Sequence, residues 1–408
     1  MKKKINEYAE LLINTGLRVE SGMTVVLSGP VECAPFLRLC AEKAYDAGCR
    51  EVIANWSDDA LSRLKYMRAD DSVFNSVHKW TSDFYNSVTK KNCAWLAISA
   101  SDPKALSGVA PDKINRSSAA MGKALKPFRD RQMSNFYPWC VAAAPTAAWA
   151  KKVFPSLTDE DAVSHLWQAI LDCSRVSGEN NSTSEWIAHT SLLKTRVKAL
   201  NAYDFTVLHY NNSLGTDLTV ELPENHFWEG GGEKTSGGHD FCANIPTEEV
   251  FTAPKRSGVN GIVFASRPLV INGDIAEDFS FQFENGRLVD IQAKRGKELL
   301  ESAVSIDEGA SYLGEVALVP YDSPISRSGL LYFNTLFDEN ASCHLALGEA
   351  YPCVRGGASM TSDQRRSAGL NYSLVHEDFM IGTPDLSITG TTRDGRIVPV
   401  FKDGNFVF

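Results

Sequence analysis

The stretch Thr24-Val-Val-Leu-Ser-Gly-Pro30 decides the fold class of the first half of the chain, because a short apolar run that ends in a turn is typical of a buried strand. A helical pattern follows at residues 34–47 and closes at Gly48, a residue type that commonly ends helices. The next strand-like run is Glu51-Val-Ile-Ala-Asn-Trp56. A strand, a helix and a second strand in this order indicate parallel strands joined by a crossover helix.

The same alternation continues to about residue 200. The pattern predicts helix 58–68, strand 93–98, helix 112–125, strand 139–144, and helices 159–176 and 184–202. These elements favour an α/β domain built on a parallel sheet. The motif G-x-G-x-x-G does not follow the first strand, so the sequence does not support a dinucleotide site.

The second half of the chain is rich in strand patterns. Residues 205–210 and 217–222 look like strands, and residues 279–291 alternate around Asn285-Gly286, a strong hairpin signal. Asp394-Gly395 and Asp403-Gly404 give weaker hairpin signals. We therefore predict an α/β N-terminal domain at residues 1–200 and a β-rich α+β domain at residues 201–408.

Composition narrows the functional classes. The chain has 408 residues, with 41 Lys and Arg against 50 Asp and Glu, for a formal net charge of −9. This acidic balance argues against a protein that binds nucleic acid by neutralising phosphates. The start of the chain lacks the apolar segment of a signal peptide, and the sequence has no run of about 18 apolar residues that could span a membrane. We expect a cytoplasmic protein with no nucleic-acid or membrane partner.

The nine cysteines are scattered and odd in number, without a C-x-x-C pair. Such a set suits free thiols in a reducing compartment better than a disulfide framework or a zinc ribbon. The motifs G-x-S-x-G and H-E-x-x-H are also absent. Glycines 230–232 resemble the end of a phosphate loop, but Glu233 separates them from Lys234. We interpret them as a loop whose backbone can approach a ligand or partner closely.

The strand-like segment 375–381 contains the first candidate site. Side chains alternate along a strand, so His376 and Asp378 should share a face while Glu377 points away. A histidine and an aspartate on one face can chelate a metal ion. The same pair could also be only hydrogen-bonded or exposed.

A second candidate pair follows Asn340, which could cap a helix at residues 341–351. In such a helix His344 and Tyr351 would lie two turns apart and share a face. They could line a pocket, or they could be a core histidine and a boundary tyrosine. Glu339 precedes the helix, where a carboxylate could interact favourably with the helix dipole.

Two further glutamate positions lie in apolar surroundings. Glu315 and the pair Glu248 and Glu249 occur in strand-like segments, where an unpaired buried carboxylate is costly without a cation or an edge position. Alternation should turn one of Glu248 and Glu249 inward and the other outward. Together, three carboxylates, two histidines and a tyrosine suit two divalent cations and an activated water, as in a metal-dependent hydrolase.

Four segments carry a resemblance to a known family: residues 244–254, Leu313-Gly-Glu-Val-Ala-Leu-Val, residues 335–352 with Asp-Glu-Asn-Ala-Ser-Cys-His, and His376-Glu-Asp-Phe-Met-Ile-Gly. They resemble the thermophilic metallo-aminopeptidases of the aminopeptidase T, aminopeptidase S and PepS type, in the same order and over essentially the whole chain. The resemblance implies a homodimer, an N-terminal α/β domain, a C-terminal catalytic domain, and two divalent ions of zinc, cobalt or manganese.

The resemblance also implies a set of site residues. It favours Glu249 over Glu248 because of the family's separation from Glu315, and it makes Glu339 a further ligand or a general base. Glu377 departs from the family pattern and should face away from the metals, and residues 353–355 are also atypical. The implied metal ligands are Glu249, Glu315, His344, Tyr351, His376 and Asp378.

The resulting hypothesis is an aminopeptidase that removes residues from peptides with a free N-terminus. Tyr351 would ligate a metal or donate a hydrogen bond to the oxyanion, and Glu339 or Glu315 would carry the proton from water to the leaving amine. Two alternatives stay open. One is another two-metal hydrolase acting on an amide or ester, and the other is a non-catalytic scaffold that retains the fold.

Overall fold

The structure, a computed structural model, describes residues 1–90, 92–100, 102–179, 181–271 and 274–408. The chain divides into two compact units. Unit 1 comprises Met1–Ala188 and Gly232–Pro246, and unit 2 comprises His189–Gly231 and Thr247–Phe408. The domain boundary expected near residue 200 stays a prediction.

The α-helices lie mainly in the first half of the chain. They are α1 (Lys2–Leu11), α2 (Ala34–Asp46), α3 (Asp59–Arg68), α4 (Lys79–Val88), α5 (Pro111–Ala124), α6 (Lys126–Met133), α7 (Ala147–Val153), α8 (Asp159–Cys173), α9 (Ser182–Tyr203), α10 (Lys297–Val304), α11 (Pro324–Ser328), α12 (Thr335–Asp338) and α13 (Ser362–Ser367). A π-helical turn follows α1 at Leu12–Gly16, and 3-10 turns occupy Val31–Cys33, Asp71–Phe74, Gly309–Ser311, Glu339–Ala341 and Gly357–Ser359.

The strands lie mainly in the second half. They are β1 (Thr24–Pro30), β2 (Glu51–Ser57), β3 (Cys93–Ser99), β4 (Trp139–Ala143), β5 (Phe205–Asn211), β6 (Asp217–Glu221), β7 (Glu229–Gly230), β8 (Glu233–Lys234), β9 (Asp240–Phe241), β10 (Val250–Thr252), β11 (Val259–Phe264), β12 (Leu269–Ile271), β13 (Asp274–Glu284), β14 (Arg287–Arg295), β15 (Leu313–Leu318), β16 (His344–Gly348), β17 (His376–Met380), β18 (Ser387–Thr392), β19 (Ile397–Lys402) and β20 (Asn405–Phe406).

Unit 1 is built on a four-stranded sheet of order β2-β1-β3-β4, in which every pairing is parallel. Local signals explain the helices between the strands. For example, the Asp58 carboxylate caps α3 by accepting the backbone N–H of Leu61 at 2.8 Å. The parallel α/β fold expected for this part of the chain is confirmed.

Unit 2 contains a nine-stranded antiparallel sheet of order β12-β13-β11-β6-β5-β18-β19-β20, with β14 paired to β13. The hairpin predicted at Asn285-Gly286 joins β13 to β14, and both residues have the positive φ that such turns require. Hairpins also form at the two Asp-Gly pairs near the end of the chain. The β-rich α+β class expected for the second half is confirmed.

A second sheet of unit 2 has five strands in the order β17-β16-β15-β10-β7, all antiparallel. One of its faces belongs to the main apolar core, to which Val316, Leu345 and Phe379 contribute. The Phe379 ring packs edge-on against Phe281 of the nine-stranded sheet, with centroids 5.0 Å apart. The two sheets therefore share one core. The other face of the five-stranded sheet carries Glu315, His344 and Asp378.

All nine cysteines are free, as predicted, and all of them are buried. Among the helices of the described ranges, none is both long and apolar enough to cross a membrane.

Candidate metal centre

Strand alternation brings the predicted polar residues to one face of the five-stranded sheet. Ala346 of β16 pairs with Glu315 on one side and with Asp378 on the other, so these three side chains project together. His344 and His376 lie two residues along their own strands from this row. Because the Ala346 side chain is small, it leaves space between the carboxylates of Glu315 and Asp378.

Two clusters of metal-ligand atoms form on this face, each with all its atoms within 4.8 Å of one another. The first contains Glu249, Glu315 and His344, and the second contains Glu315, His376 and Asp378. Glu315 belongs to both clusters, and its side chain is only 6% exposed. The carboxylate of Glu315 could therefore contribute a ligand atom to either group.

Direct contacts tie the histidines to the carboxylates. His344 Nε2 lies 3.3 Å from Glu249 Oε2, and His376 Nε2 lies 3.1 Å from Glu315 Oε2 and 3.3 Å from Asp378 Oδ1. The opposite ring nitrogen of each histidine faces a backbone carbonyl. His376 Nδ1 is 2.8 Å from the Glu349 oxygen, and His344 Nδ1 is 3.3 Å from the Ser342 oxygen. Such outer contacts fix the ring so that Nε2 can serve as a ligand.

Tyr351 lies beside these groups, but the helix predicted at residues 341–351 is wrong. Residues His344–Gly348 form β16, an interior strand of the sheet with every residue buried. Leucine and alanine favour helices locally, but pairing on both edges and burial on both faces decide the structure here. Tyr351 follows the strand, and its ring packs edge-on against His376 with centroids 5.6 Å apart.

The prediction that one of Glu248 and Glu249 faces outward is also wrong. Both precede β10, where strand alternation does not apply, and both are largely buried. Glu249 contacts His344, whereas the Glu248 carboxylate lies 3.7 Å from His189 Nε2. The two glutamates thus differ in partner and not in burial, and Glu249 is the one that joins the metal-ligand clusters.

Glu339 lies in the 3-10 turn before β16 and accepts a hydrogen bond from Asn340 Nδ2 at 3.3 Å. The pKa of Glu339 is raised well above its usual value by burial, and the nearby charges of Asp378 and Glu249 raise it further. A carboxyl group whose pKa is perturbed by burial and by neighbouring carboxylates is a candidate for a functional role.

Burial and neighbouring charges shift the pKa values of the other ionisable groups. Burial raises the pKa of Glu315, although its hydrogen bond with His376 opposes the shift. Burial alone would lower the pKa of His344, but contact with Glu249 raises it to about 10. Burial raises the pKa of Tyr351 well above the usual value, and the charge of Glu315 adds to this effect. Tyr351 therefore keeps its phenolic proton at neutral pH.

The donor set fits divalent metal ions. It offers carboxylate oxygens and two oriented imidazoles, which zinc, cobalt and manganese accept as ligands. Clustering buried carboxylates is costly without cations, and the histidines in contact with them offset only part of the negative charge. The residues that could hold metal are Glu249, Glu315, His344, His376 and Asp378, with Tyr351 and Glu339 next to them.

Sequence reasoning missed the part that Asn340 plays. This side chain is fully buried, and its Oδ1 accepts the backbone N–H of Glu248 at 2.7 Å while its Nδ2 reaches Glu339. It thus connects the segment that carries Glu249 with the turn that carries Glu339. In the sequence, the position of Asn340 next to the candidate base Glu339 indicated this role. A helix cap explained the same asparagine equally well.

Comparison with known proteins places these residues in a family context. A family model described as thermophilic metalloprotease (M29) matches residues 1–406. Aminopeptidase AmpS of Bacillus subtilis (strain 168) is 43% identical over 407 residues, covering 100% of this chain and 99% of that protein. Aminopeptidase T of Thermus aquaticus is 40% identical over 405 residues, or 99% and 98% of the two chains. The solved structure of wild-type AmpT from Thermus thermophilus superposes with a TM-score of 0.93 at 39% identity, covering 100% of both chains.

Proposed function

The chain belongs to the thermophilic metalloprotease family M29, and on this premise we propose that it removes N-terminal residues from peptides at a site holding two divalent metal ions. Family membership makes the protein a metal-dependent enzyme that hydrolyses peptides, in agreement with the aminopeptidase names of its relatives. The two-metal centre is the finer part of the proposal.

The single observation that carries this finer part is the shared position of Glu315. Its carboxylate lies within reach of both ligand clusters, so that one ion would take Glu249, Glu315 and His344. The other would take Glu315, His376 and Asp378. When bound, such ions would lower the pKa of the attacking water and polarise the scissile carbonyl.

The protein groups next to the ligands supply proton transfer and hydrogen bonding. Glu339, which is buried near Asp378 and Glu249, would take the proton of the attacking water and deliver it to the leaving amine. The protonated Tyr351 would donate a hydrogen bond to the oxygen of the tetrahedral intermediate, or ligate a metal. The catalytic residues of the proposal are thus Glu315, Glu339 and Tyr351.

The remaining parts of the proposal concern the setting of the enzyme. We expect zinc, cobalt or manganese as the metal, peptides with a free N-terminus as substrates, and a homodimer in the cytoplasm. We also expect residues 201–408 to be the catalytic domain, with residues 1–200 as a separate α/β domain.

Metal quantification combined with a substrate panel tests the proposed function. The purified chain should contain two divalent ions and release amino acids from aminoacyl reporters. It should fail on the same peptides with a blocked N-terminus. Chelation should abolish hydrolysis, and added metal should restore it. Cleavage of blocked peptides or of phosphoesters would favour another two-metal hydrolase. Less than one ion per chain together with no hydrolysis would instead indicate a scaffold.

A further inference from the structure

The parallel sheet of unit 1 contains a cavity that the proposed function does not use. It lies over β1, β3 and β4, and its floor includes Ser28, Ala97 and Val141, which pair with one another across the three strands. Paired residues project to the same face, so these small side chains leave a depression in the sheet.

The cavity lies on the sheet face that carries α4 and α6, whose Tyr85 and Phe128 line it. The strand order β2-β1-β3-β4 shows that the chain winds from β1 to β2 in one direction and then places β3 on the opposite side of β1. Right-handed crossovers therefore place α2 on one face of the sheet and both α4 and α6 on the other. Consistent with this, Leu37 of α2 lies on the face of Gly29, opposite the cavity.

Aromatic rings form the walls. Trp95 of β3 contacts Phe128 of α6 with ring centroids 5.1 Å apart, and it stacks on Tyr85 of α4 at 5.5 Å. Trp139 of β4 also lines the cavity. Flat rings on several sides favour another flat ring, because offset stacking and edge-on contacts stabilise aromatic pairs beyond simple burial.

The polar groups of the cavity are uncharged and few. Ser28 Oγ accepts a hydrogen bond from Asn55 Nδ2 at 3.0 Å, which directs its own hydroxyl hydrogen elsewhere. Gln132 of α6 adds an amide to the lining. A cavity whose lining residues are all uncharged selects a neutral ligand, and the Ser28 hydroxyl can donate to an acceptor atom on it.

The volume sets the size of the ligand. The cavity measures about 200 Å³. Apolar cavities of about 150 Å³ bind benzene. One aromatic ring with a small substituent therefore fits, whereas a peptide does not.

We propose that this cavity is a binding site for a neutral, single-ring aromatic molecule that bears one hydrogen-bond acceptor. The ring lies among Trp95, Phe128 and Trp139, and its acceptor takes the hydroxyl hydrogen of Ser28. The proposal is independent of the metal centre, because every group that it uses belongs to unit 1.

Calorimetric titration of the full chain with phenol, and with benzene as the ring without an acceptor, tests this site. We expect one saturable phenol site per chain. Ser28→Ala should weaken phenol binding about fivefold and leave benzene binding unchanged, as the loss of one hydrogen bond requires. Ala97→Leu should fill the floor and abolish binding of both. Ala54→Leu, the same change at an exposed position of β2, should bind both ligands as the wild type does.

The result that overturns the proposal is a wild-type chain that does not bind phenol, or an Ala97→Leu chain that binds it normally. Equal weakening of phenol and benzene by Ser28→Ala would also overturn it. Circular dichroism checks the fold of each variant. If Ala97→Leu does not fold, the comparison of phenol with benzene on Ser28→Ala decides alone. None of these readouts uses peptide hydrolysis, so failure here and failure of the proposed function are separate results.

Discussion

At the scale of single residues, Glu315 is a buried carboxylate that belongs to both groups of candidate ligands. Its carboxylate is nearly buried, lies near Glu249 and Asp378, and has a raised pKa because of burial and those charges. A carboxyl group in such surroundings destabilises the fold unless a cation compensates it. The site therefore gives up stability in its metal-free form for the ability to bind metal.

Glu315→Gln should abolish peptide hydrolysis while the fold is retained. The amide keeps the shape of the side chain but removes the charge shared by the two clusters. Even changes outside the ligand shell cost 10–100-fold in metal affinity or activity, so we expect a loss of at least about 100-fold in kcat/KM. Glu377→Gln is the matched control, because that side chain alternates to the opposite face of β17. Equal activity of the two variants would refute the role of Glu315.

Glu339→Gln separates a general base from a metal ligand. The glutamine can still accept the hydrogen bond from Asn340, so the local structure should persist. If Glu339 acts as the base, kcat should fall by about 10²–10⁴-fold while the metal content stays at the wild-type level. Metal analysis beside steady-state kinetics measures both. A parallel loss of bound metal would instead make Glu339 a ligand.

At the scale of elements, β16 shows how one strand serves two purposes. Its alternate side chains reach either the face that carries the candidate metal ligands, as Ala346 does, or the apolar core, as Leu345 does. A change on one face should therefore affect metal binding, and a change on the other should affect stability.

Two substitutions at neighbouring positions of β16 test this division. Leu345→Ala should lower the free energy of unfolding by about 2–5 kcal/mol, because it leaves a cavity in the core, yet the chain should still bind metal. Ala346→Leu places a large side chain between Glu315 and Asp378 and should prevent metal binding, with a smaller cost of about 1–3 kcal/mol. Denaturant unfolding and metal analysis of both variants measure this. Loss of metal in Leu345→Ala alone would contradict the assignment of the faces.

The elements also show which features the sequence could predict. The strands of unit 1 follow short apolar runs between turn residues, and the hairpin at Asn285-Gly286 follows from its turn chemistry, so local rules suffice there. Residues 344–348 contain helix-favouring leucine and alanine, and only their position between β15 and β17 makes them a strand. The site residues could be proposed singly from alternation and from the family resemblance, but their distances depend on long-range pairing.

At the scale of the whole molecule, metal binding and proton binding are linked. In the metal-free chain the contact with Glu249 raises the pKa of His344 to about 10, so this imidazole carries a proton at neutral pH. A metal ion can use only the neutral ring, and it must therefore displace that proton.

Metal affinity should rise about tenfold per pH unit for each proton displaced, up to the pKa of His344. Calorimetric titrations at several pH values, in buffers of different ionisation enthalpy, measure the slope and the protons released. An affinity independent of pH between 7 and 9 would contradict this linkage.

The same linkage predicts how the stability gained from metal changes with pH. A raised histidine pKa means that the imidazolium contact stabilises the metal-free fold fully below about pH 6.5, and that this contribution is lost as pH rises through about 10. Metal stabilises the folded chain by about 2.7 kcal/mol at 100 times Kd, and each tenfold gain in affinity adds about 1.4 kcal/mol.

The metal-free chain should therefore lose stability between pH 7 and 9 while the metal-loaded chain gains relative to it. Thermal unfolding with and without chelator should show a gap in Tm that widens over this range. His344→Gln lacks the titrating ring, so its difference in Tm with and without chelator should be smaller and should change less with pH. If the difference in Tm of the wild type narrows over this range instead, His344 is not a ligand.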